Sequence, residues 1–261
     1  MEESKHKKEL EAFDRMLTLM EKVREECPWD NSQTNDTLRT LTIEEIYELS
    51  QAILDNKDEE IKKELGDVMM HVVFYSLIGK EKGSFDITDV FNYLSEKLIR
   101  RHPHVFNKDH NYTAKEVERN WERIKLKEGN KSTFSGLPET LPSLIKAYRI
   151  QDKAKGIGFD WQNAEEVYNN VKEELSELEA EVKKGDKIGK INEFGDVLFA
   201  LINYARFIDV NPDTALEHTN KKFKARFEFM EKEAKNQGKL LCNMTLEDMD
   251  FLWREAKENG L

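Results

Sequence analysis

Two acidic stretches are spaced so that they could gather carboxylates in one place. The first is Glu173-Glu174-Leu175-Ser176-Glu177; sixteen residues beyond Glu177 comes Glu193-Phe194-Gly195-Asp196. Glu174 and Glu177 sit three apart, as do Glu193 and Asp196, and on a helix that spacing puts them on one face. Apolar residues recur beside them at helical period: Val171, Leu175 and Leu178, then Val197, Leu198, Leu201 and Ile202. Lys183-Lys184-Gly185-Asp186 lies between as a polar reversal. The pattern predicts an αα-hairpin that points Glu174, Glu177, Glu193 and Asp196 at a common space. Four carboxylates so close repel one another and take up protons unless cations lie between them. Hard divalent ions with oxygen ligands, Mg²⁺ first, meet that demand.

The same arrangement occurs earlier. Glu44-Glu45-Ile46-Tyr47-Glu48 is followed by Glu64-Leu65-Gly66-Asp67, and Glu45, Glu48, Glu64 and Asp67 map onto the later acids with one offset of 129. A single E-x-x-E is ordinary on a solvated helix face; a duplicated four-acid pattern in fixed register, with Gly before Asp in both copies, is not. The repeat extends to cations. Lys97 and Arg101 lie one helical turn apart in the first copy, as Lys222 and Arg226 do in the second, at an offset of 125. Cations at i and i+4 suit phosphate oxygens that metal leaves uncovered.

The elements that must position these groups follow from periodicity. Helices are expected over about 5–26, 43–55, 58–79, 86–101 and 113–128. Then comes a linker over 129–142, where the composition shifts to Gly, Ser and Pro. Further helices are expected over about 143–154, 164–183, 188–209, 212–236 and 246–258. No alternating β-branched run appears, so the class is all-α, organised as domains 1–128 and 143–261. Residues 27–38 read as a loop of turn formers. On one reading it is a connector, with Thr42 and Glu45 as a capping box for the acidic helix. On the other it touches substrate, with Trp29 as a stacking platform for a base.

Composition narrows the class of function. The net charge is −11, which argues against a general nucleic-acid binder. Only Cys27 and Cys242 are present, far apart, which fits a reducing compartment. The longest apolar run, from Met69 to Ile78, is too short to span a bilayer. A cytoplasmic protein without membrane partners is expected.

With these residues in view, the sequence resembles the MazG family of nucleoside triphosphate pyrophosphohydrolases over essentially its whole length. The landmarks in the first half are Cys27-Pro28-Trp29-Asp30 with Gln33-Thr34, the two acidic blocks, and Arg101-His102-Pro103-His104-Val105-Phe106. In the second half they are Gly158-Phe159-Asp160-Trp161, Glu193-Phe194-Gly195-Asp196, and Thr219-Asn220-x-Lys222-Phe223-x-x-Arg226-Phe227. The resemblance implies two tandem helical domains that form bundles on homodimerisation. It also implies Mg²⁺-dependent conversion of NTP or dNTP to the monophosphate and pyrophosphate, in the service of cleaning the nucleotide pool. Two or more Mg²⁺ would serve each site, with Mn²⁺ as the substitute. The eight acids would be metal ligands, and Lys222, Arg226 and Asn220 would contact phosphate. Family members usually carry His where this chain has Asn35, and often His where it has Tyr75, so the first half is the departing copy. No regulatory protein partner is indicated.

Chemistry then suggests roles. Metal-bound water would attack with Glu174 or Glu173 as base, and Lys222 and Arg226 would stabilise departing pyrophosphate. Spacing alone does not say which phosphorus is attacked; that comes from the resemblance. The second half is expected to carry most hydrolysis, because Asn203 and Arg206 stand where the first half has Phe74 and Leu77. Two rivals come from other classes. A ferritin-like di-iron protein needs Glu-x-x-His, which neither block supplies; His71, a turn beyond Asp67, matches Ala200 in the repeat and reads as packing. The other rival is a non-catalytic helical scaffold with surface acids.

Overall fold

The computed structural model describes residues 5–106, 113, 116–117, 124 and 132–261. Among them there is no strand, and the chain is all-α. It divides into two compact units, Met1–Asn111 and Tyr112–Leu261. The expected helix over 113–128 and the start of the expected linker fall mostly outside the described residues.

In the first unit, α1 (Lys7–Glu26) is followed by the short α2 (Pro28–Asn31), α3 (Asn35–Leu54), α4 (Asp58–Glu81), α5 (Ile87–Arg101) and α6 (Pro103–Phe106). Met20 of α1, Leu38 of α3, and Val73, Phe74 and Ile78 of α4 form its core, with Phe13, Leu17, Leu41 and Leu77 packed around them. Thus α1 closes one side of the α3–α4 hairpin and fixes how the acidic helices lie.

The start of α3 corrects the expectation from sequence. The helix begins at Asn35, eight residues before the expected position, and its capping box is Thr34 with Thr37 rather than Thr42 with Glu45. The Thr37 amide donates to Thr34 Oγ1 at 3.3 Å and the Thr34 amide to Thr37 Oγ1 at 2.9 Å. A threonine at the fourth position of the box does the work usually given to Glu or Gln, so the turn-forming composition of 27–38 hid the helix start. Thr42 has another role: its hydroxyl lies 2.9 Å from the Leu38 carbonyl oxygen, 2.9 Å from His71 Nδ1 and 2.7 Å from the Tyr75 hydroxyl.

The α1–α3 connection is held by one side chain. Arg24 donates to both Glu81 oxygens, at 2.7 and 2.8 Å, and to the main-chain carbonyls of Asp30, Asn31 and Gln33. Its guanidinium also lies over the Phe74 ring. Arg24 is raised above the usual arginine range by its hydrogen bond to Glu81, and the same bond lowers Glu81.

The second unit contains α7 (Ser143–Gly156), α8 (Ala164–Lys184), α9 (Lys187–Phe207), α10 (Pro212–Asn236) and α11 (Leu246–Glu258), with a 3₁₀ turn at Leu241–Asn243. Asn163 caps α8 by accepting from the Glu166 amide at 3.0 Å. The helix stops at Gly185, whose φ of +77° is the left-handed conformation glycine adopts without a Cβ penalty. Asp186 then caps α9, so the reversal expected at 183–186 is a tight one. Val167 and Val171 of α8 and Val197, Ala200 and Ile202 of α9 are buried. Met230, Ala234 and Leu252 form a second small core where α10 meets α11. The end of the expected linker is anchored to α7: buried Lys153 donates to the carbonyls of Thr133 and Ser135 at 3.0 and 3.3 Å.

Arg24→Ala should lower unfolding stability by about 2 kcal/mol, because it removes the donor that three carbonyls and the Glu81 carboxylate share. Lys22→Ala, which loses only an exposed pair with Glu26, should change it by less than about 0.5 kcal/mol. Chemical denaturation of the two variants checks both; equal losses would contradict the role assigned to Arg24.

Candidate metal centres and their surroundings

Each hairpin brings three carboxylates together. Glu45 and Glu48 of α3 meet Glu64 of α4, and Glu174 and Glu177 of α8 meet Glu193 of α9; in both groups one oxygen from each acid lies within 4.8 Å of the others. The backbone explains the meeting. Residues three apart stack on one helix face, and a short reversal folds the second acidic face onto the first.

The fourth acids stand just outside these tight groups. Asp67 and Asp196 do not join the three-residue clusters. Their charges are nonetheless felt. Burial together with Asp67, Glu48 and Glu64 raises the Glu45 carboxyl above the ordinary range. In the second unit, desolvation with Glu177, Asp196 and Glu174 raises Glu193. Both shifts mark sites where negative charge has been crowded together.

The donor sets fit a hard cation. Every atom offered is a carboxylate oxygen, the preference of Mg²⁺ and Ca²⁺ rather than of softer metals. The sharpest sign is Glu64, only 3% exposed. Lys63 Nζ donates to its Oε1 at 3.0 Å, while its Oε2 is buried with no hydrogen-bond partner. A buried carboxylate oxygen left unpaired is costly, and a cation held with Glu45 and Glu48 would satisfy it.

The other expected site residues are distributed as follows. Glu173 is exposed on α8, beside the second cluster but outside it. Trp29 is 60% exposed on α2, its turn fixed from behind by Arg24. Lys97 lies over the Tyr93 ring and Arg101 ends α5. Lys222 is exposed on α10; Asn220 on the same helix donates to Glu217 at 3.2 Å. Arg226 lies 5.3 Å over the Trp253 ring and donates to the Leu261 carbonyl oxygen at 2.8 Å. Asn203 is buried, and its Oδ1 accepts from Arg206, whose guanidinium also forks onto the Asp160 carboxylate. In the first unit, Phe74 is core and Leu77 packs against it, as their apolar character implies.

Three supporting residues were not picked out from sequence. Asn170 donates to Glu174 Oε1 at 3.1 Å and orients it; its i, i+4 spacing to Glu174 was an available signal. Arg24 and Trp253 carried none, because their partners are distant in the chain. His71, read as packing, is buried and also hydrogen-bonded to Thr42. Burial lowers its pKa, against the raising charge of Asp67.

Fold and site together define an all-α protein carrying two glutamate centres suited to hard cations. A family model described as the MazG nucleotide pyrophosphohydrolase domain matches residues 33–106. The nucleoside triphosphate pyrophosphohydrolase/pyrophosphatase MazG of Thermotoga maritima is 42% identical over 250 residues, covering 94% of this chain and 95% of that protein. The nucleoside triphosphate pyrophosphohydrolase of Escherichia coli K12 is 36% identical over 258 residues, covering 95% and 98%. A Bacillus subtilis protein, YabN, is 42% identical over 236 residues but matches across only 48% of its own length. The chain belongs to the MazG nucleotide pyrophosphohydrolase family.

The raised carboxyls give a pH dependence with a definite sign. A group whose folded pKa lies above its unfolded value supports the fold while protonated, and that support is lost as pH rises through the folded pKa. A divalent cation replaces the proton as the neutralising charge. Adding one should therefore raise Tm more at pH 7.5 than near pH 4.5, where protons compete with it for the raised Glu45 and Glu193 carboxyls. Calorimetric scans with and without the cation test this, and equal shifts at both pH values would count against the clusters as metal centres.

Proposed function

We propose that this protein hydrolyses nucleoside triphosphates, ribo- and deoxyribo-, to the nucleoside monophosphate and pyrophosphate with Mg²⁺, and so helps to clean the nucleotide pool. The observation that carries the reading is the pair of three-glutamate centres, in a chain that matches relatives named for this reaction along nearly their whole length. Those names supply the reaction; the glutamates supply a physical means.

In the second unit, Glu174, Glu177 and Glu193 would hold the cation, with Asp196 adding charge and Asn170 keeping Glu174 turned inward. Bound Mg²⁺ supplies Lewis acidity toward the phosphates and lowers the pKa of a water in its shell. Mn²⁺ has the same preference for oxygen ligands and would serve as a substitute. Glu174 or Glu173 would take the proton from that water. Lys222 and Arg226 would offset charge on departing pyrophosphate, with Trp253 bracing the Arg226 guanidinium and Asn220 beside them on α10. Glu45, Glu48, Glu64 and Asp67 would make the corresponding centre in the first unit, with Lys97 and Arg101 as its cations and Trp29 against the base. Because the first unit has apolar Phe74 and Leu77 where the second has Asn203 and Arg206, the second unit would carry most turnover.

A homodimer, working in the cytoplasm, is the assembly that fits this reading. Val197 is buried within its own unit and Leu77 packs in the first unit's core, so neither is left for a partner. Among the uncovered apolar side chains of this hairpin are Leu175 of α8 and Phe194, Leu198 and Leu201 of α9. They flank the second centre, so a second copy laid there would cover both. No described helix is long and apolar enough to cross a membrane.

Purified protein with Mg²⁺ and an NTP should release pyrophosphate and the monophosphate. Orthophosphate and a diphosphate as first products would reject the mechanism. Asp196→Asn or Glu193→Gln should reduce turnover by up to about a hundredfold, as weakening a metal site does, while Asp67→Asn or Glu64→Gln should spare much of it. Survival of activity in the first pair and loss in the second would reverse the assignment of the units.

Light scattering at micromolar concentration should report a dimer, and Leu198→Asp should dissociate it. A fully active monomer would exclude the shared-face assembly.

A further inference from the structure

One acid of the first centre is already paired with a cation that belongs to the chain. Lys63 Nζ donates to Glu64 Oε1 at 3.0 Å. Among the described residues, none of the other acids assigned to the two centres forms an ion pair. Glu64 is also the most deeply sunk of them, and its second oxygen, Oε2, has no hydrogen-bond partner.

The two ends of this pair live in opposite surroundings. The Glu64 side chain is 4% exposed and that of Lys63 is 63% exposed. Neighbouring residues on a helix do not face each other, so Lys63 reaches Glu64 by curling its stem back along α4, while open solvent lies beside it. Glu64 has no such freedom. The carboxylate is therefore the fixed member and the ammonium the movable one. A buried carboxylate is costly unless it is neutralised, and the tethered ammonium supplies that charge. A divalent cation drawn in by Glu45, Glu48 and Glu64 needs the same oxygens and repels the ammonium beside it. Both cannot hold Glu64 at full strength. The lysine is the one that can leave, because its long stem ends in water.

The second centre has no equivalent competitor. At the offset of 129 that maps Glu64 onto Glu193, Lys63 maps onto Asn192, which is exposed and carries no charge. The lysine at the neck of that hairpin, Lys184, donates instead to Glu181, an acid outside the cluster. The two centres thus offer similar carboxylates to a cation, but only the first sets a charge of its own against it.

We infer that Lys63 is a tethered counter-ion of the first centre: it holds Glu64 in the metal-free protein and is displaced when a divalent cation enters. The inference rests on the glutamate groups being cation centres, and gives one of them an internal competitor. The first centre then keeps its buried acid neutralised without metal, and fills only at a higher cation concentration than its carboxylates alone would require.

The test is isothermal titration of the full chain with Mn²⁺ and with Mg²⁺, in a Glu193→Gln background that weakens the second centre. Lys63→Met should tighten the first centre about tenfold, the gain expected if the ion pair occupies Glu64 about nine-tenths of the time. Lys62→Met, which removes an exposed lysine paired with Glu59, should change the affinity by less than about twofold, since that charge is screened by solvent. The reverse substitution is a second arm: Asn192→Lys, in a Glu64→Gln background, should weaken the second centre. Calorimetry adds a readout independent of affinity. Without metal, Lys63→Met should melt below the parent, because Glu64 loses its partner; in saturating Mg²⁺ the two should melt together, because the lysine has already been displaced. An unchanged or weaker cation affinity in Lys63→Met, equal tightening by Lys62→Met, or a melting deficit that persists in saturating Mg²⁺ would each overturn the inference. A parent protein that binds neither cation would sink the centres themselves, whereas tight binding indifferent to Lys63 would sink this inference alone.

Discussion

Three carboxylates within 4.8 Å of one another are an electrostatic liability that the rest of each unit exists to contain. Left in water, flexible side chains would swing apart and relieve the repulsion. Here the acids project from two helices joined by a reversal of two or three residues, and neither helix can rotate without breaking its apolar seam. In the first unit that seam is set by Leu38, Val73 and Phe74; in the second by Val167, Val171, Val197 and Ala200. Hydrophobic burial therefore sets the register that forces the charges together. The raised carboxyls of Glu45 and Glu193 are the trace of that imposed proximity.

The two centres resolve the same constraint differently. Behind the first lies a compact polar trio in which Thr42 links His71 and Tyr75, and Glu64 is sunk almost completely with one oxygen unpaired. Behind the second, the positions of Thr42 and His71 are occupied by buried Val171 and Ala200, and the polar groups have moved outward to Asn170 and to the Asn203–Arg206 pair. A deeply buried carboxylate would hold a cation rigidly. A more open one leaves room for a charged ligand to share it. The two units thus share the acids and differ in what surrounds them.

Outside the centres, the exposed surface is informative because it is not uniformly polar. Leu175, Phe194, Leu198 and Leu201 are uncovered on the same hairpin that carries the second group of acids. Apolar residues beside a metal centre have a direct electrostatic consequence: once covered, they exclude water and strengthen every interaction within the site. On the proposed assembly, burial of this face and competence of the site would be one physical event.

The helical class, the hairpins and the acids were legible in the sequence because they rest on short-range regularities. Three-residue spacing, a 3.6-residue apolar period and a glycine at a reversal each act within one or two turns, and the 129-residue offset repeats them. The start of α3 was not legible, since a threonine pair formed the capping box in a stretch composed like a loop. Nor was it visible that Asp67 and Asp196 would stand back from the clusters. The bonds that join Arg24 to Glu81, Asp160 to Arg206 and Arg226 to Trp253 link residues 57, 46 and 27 positions apart, and no local pattern announces them. Sequence by itself determined which chemistry the chain carries. Tertiary packing decided which polar groups remained for a ligand and which were spent on one another, because hydrogen-bonding capacity is finite and only the folded arrangement brings distant partners within reach.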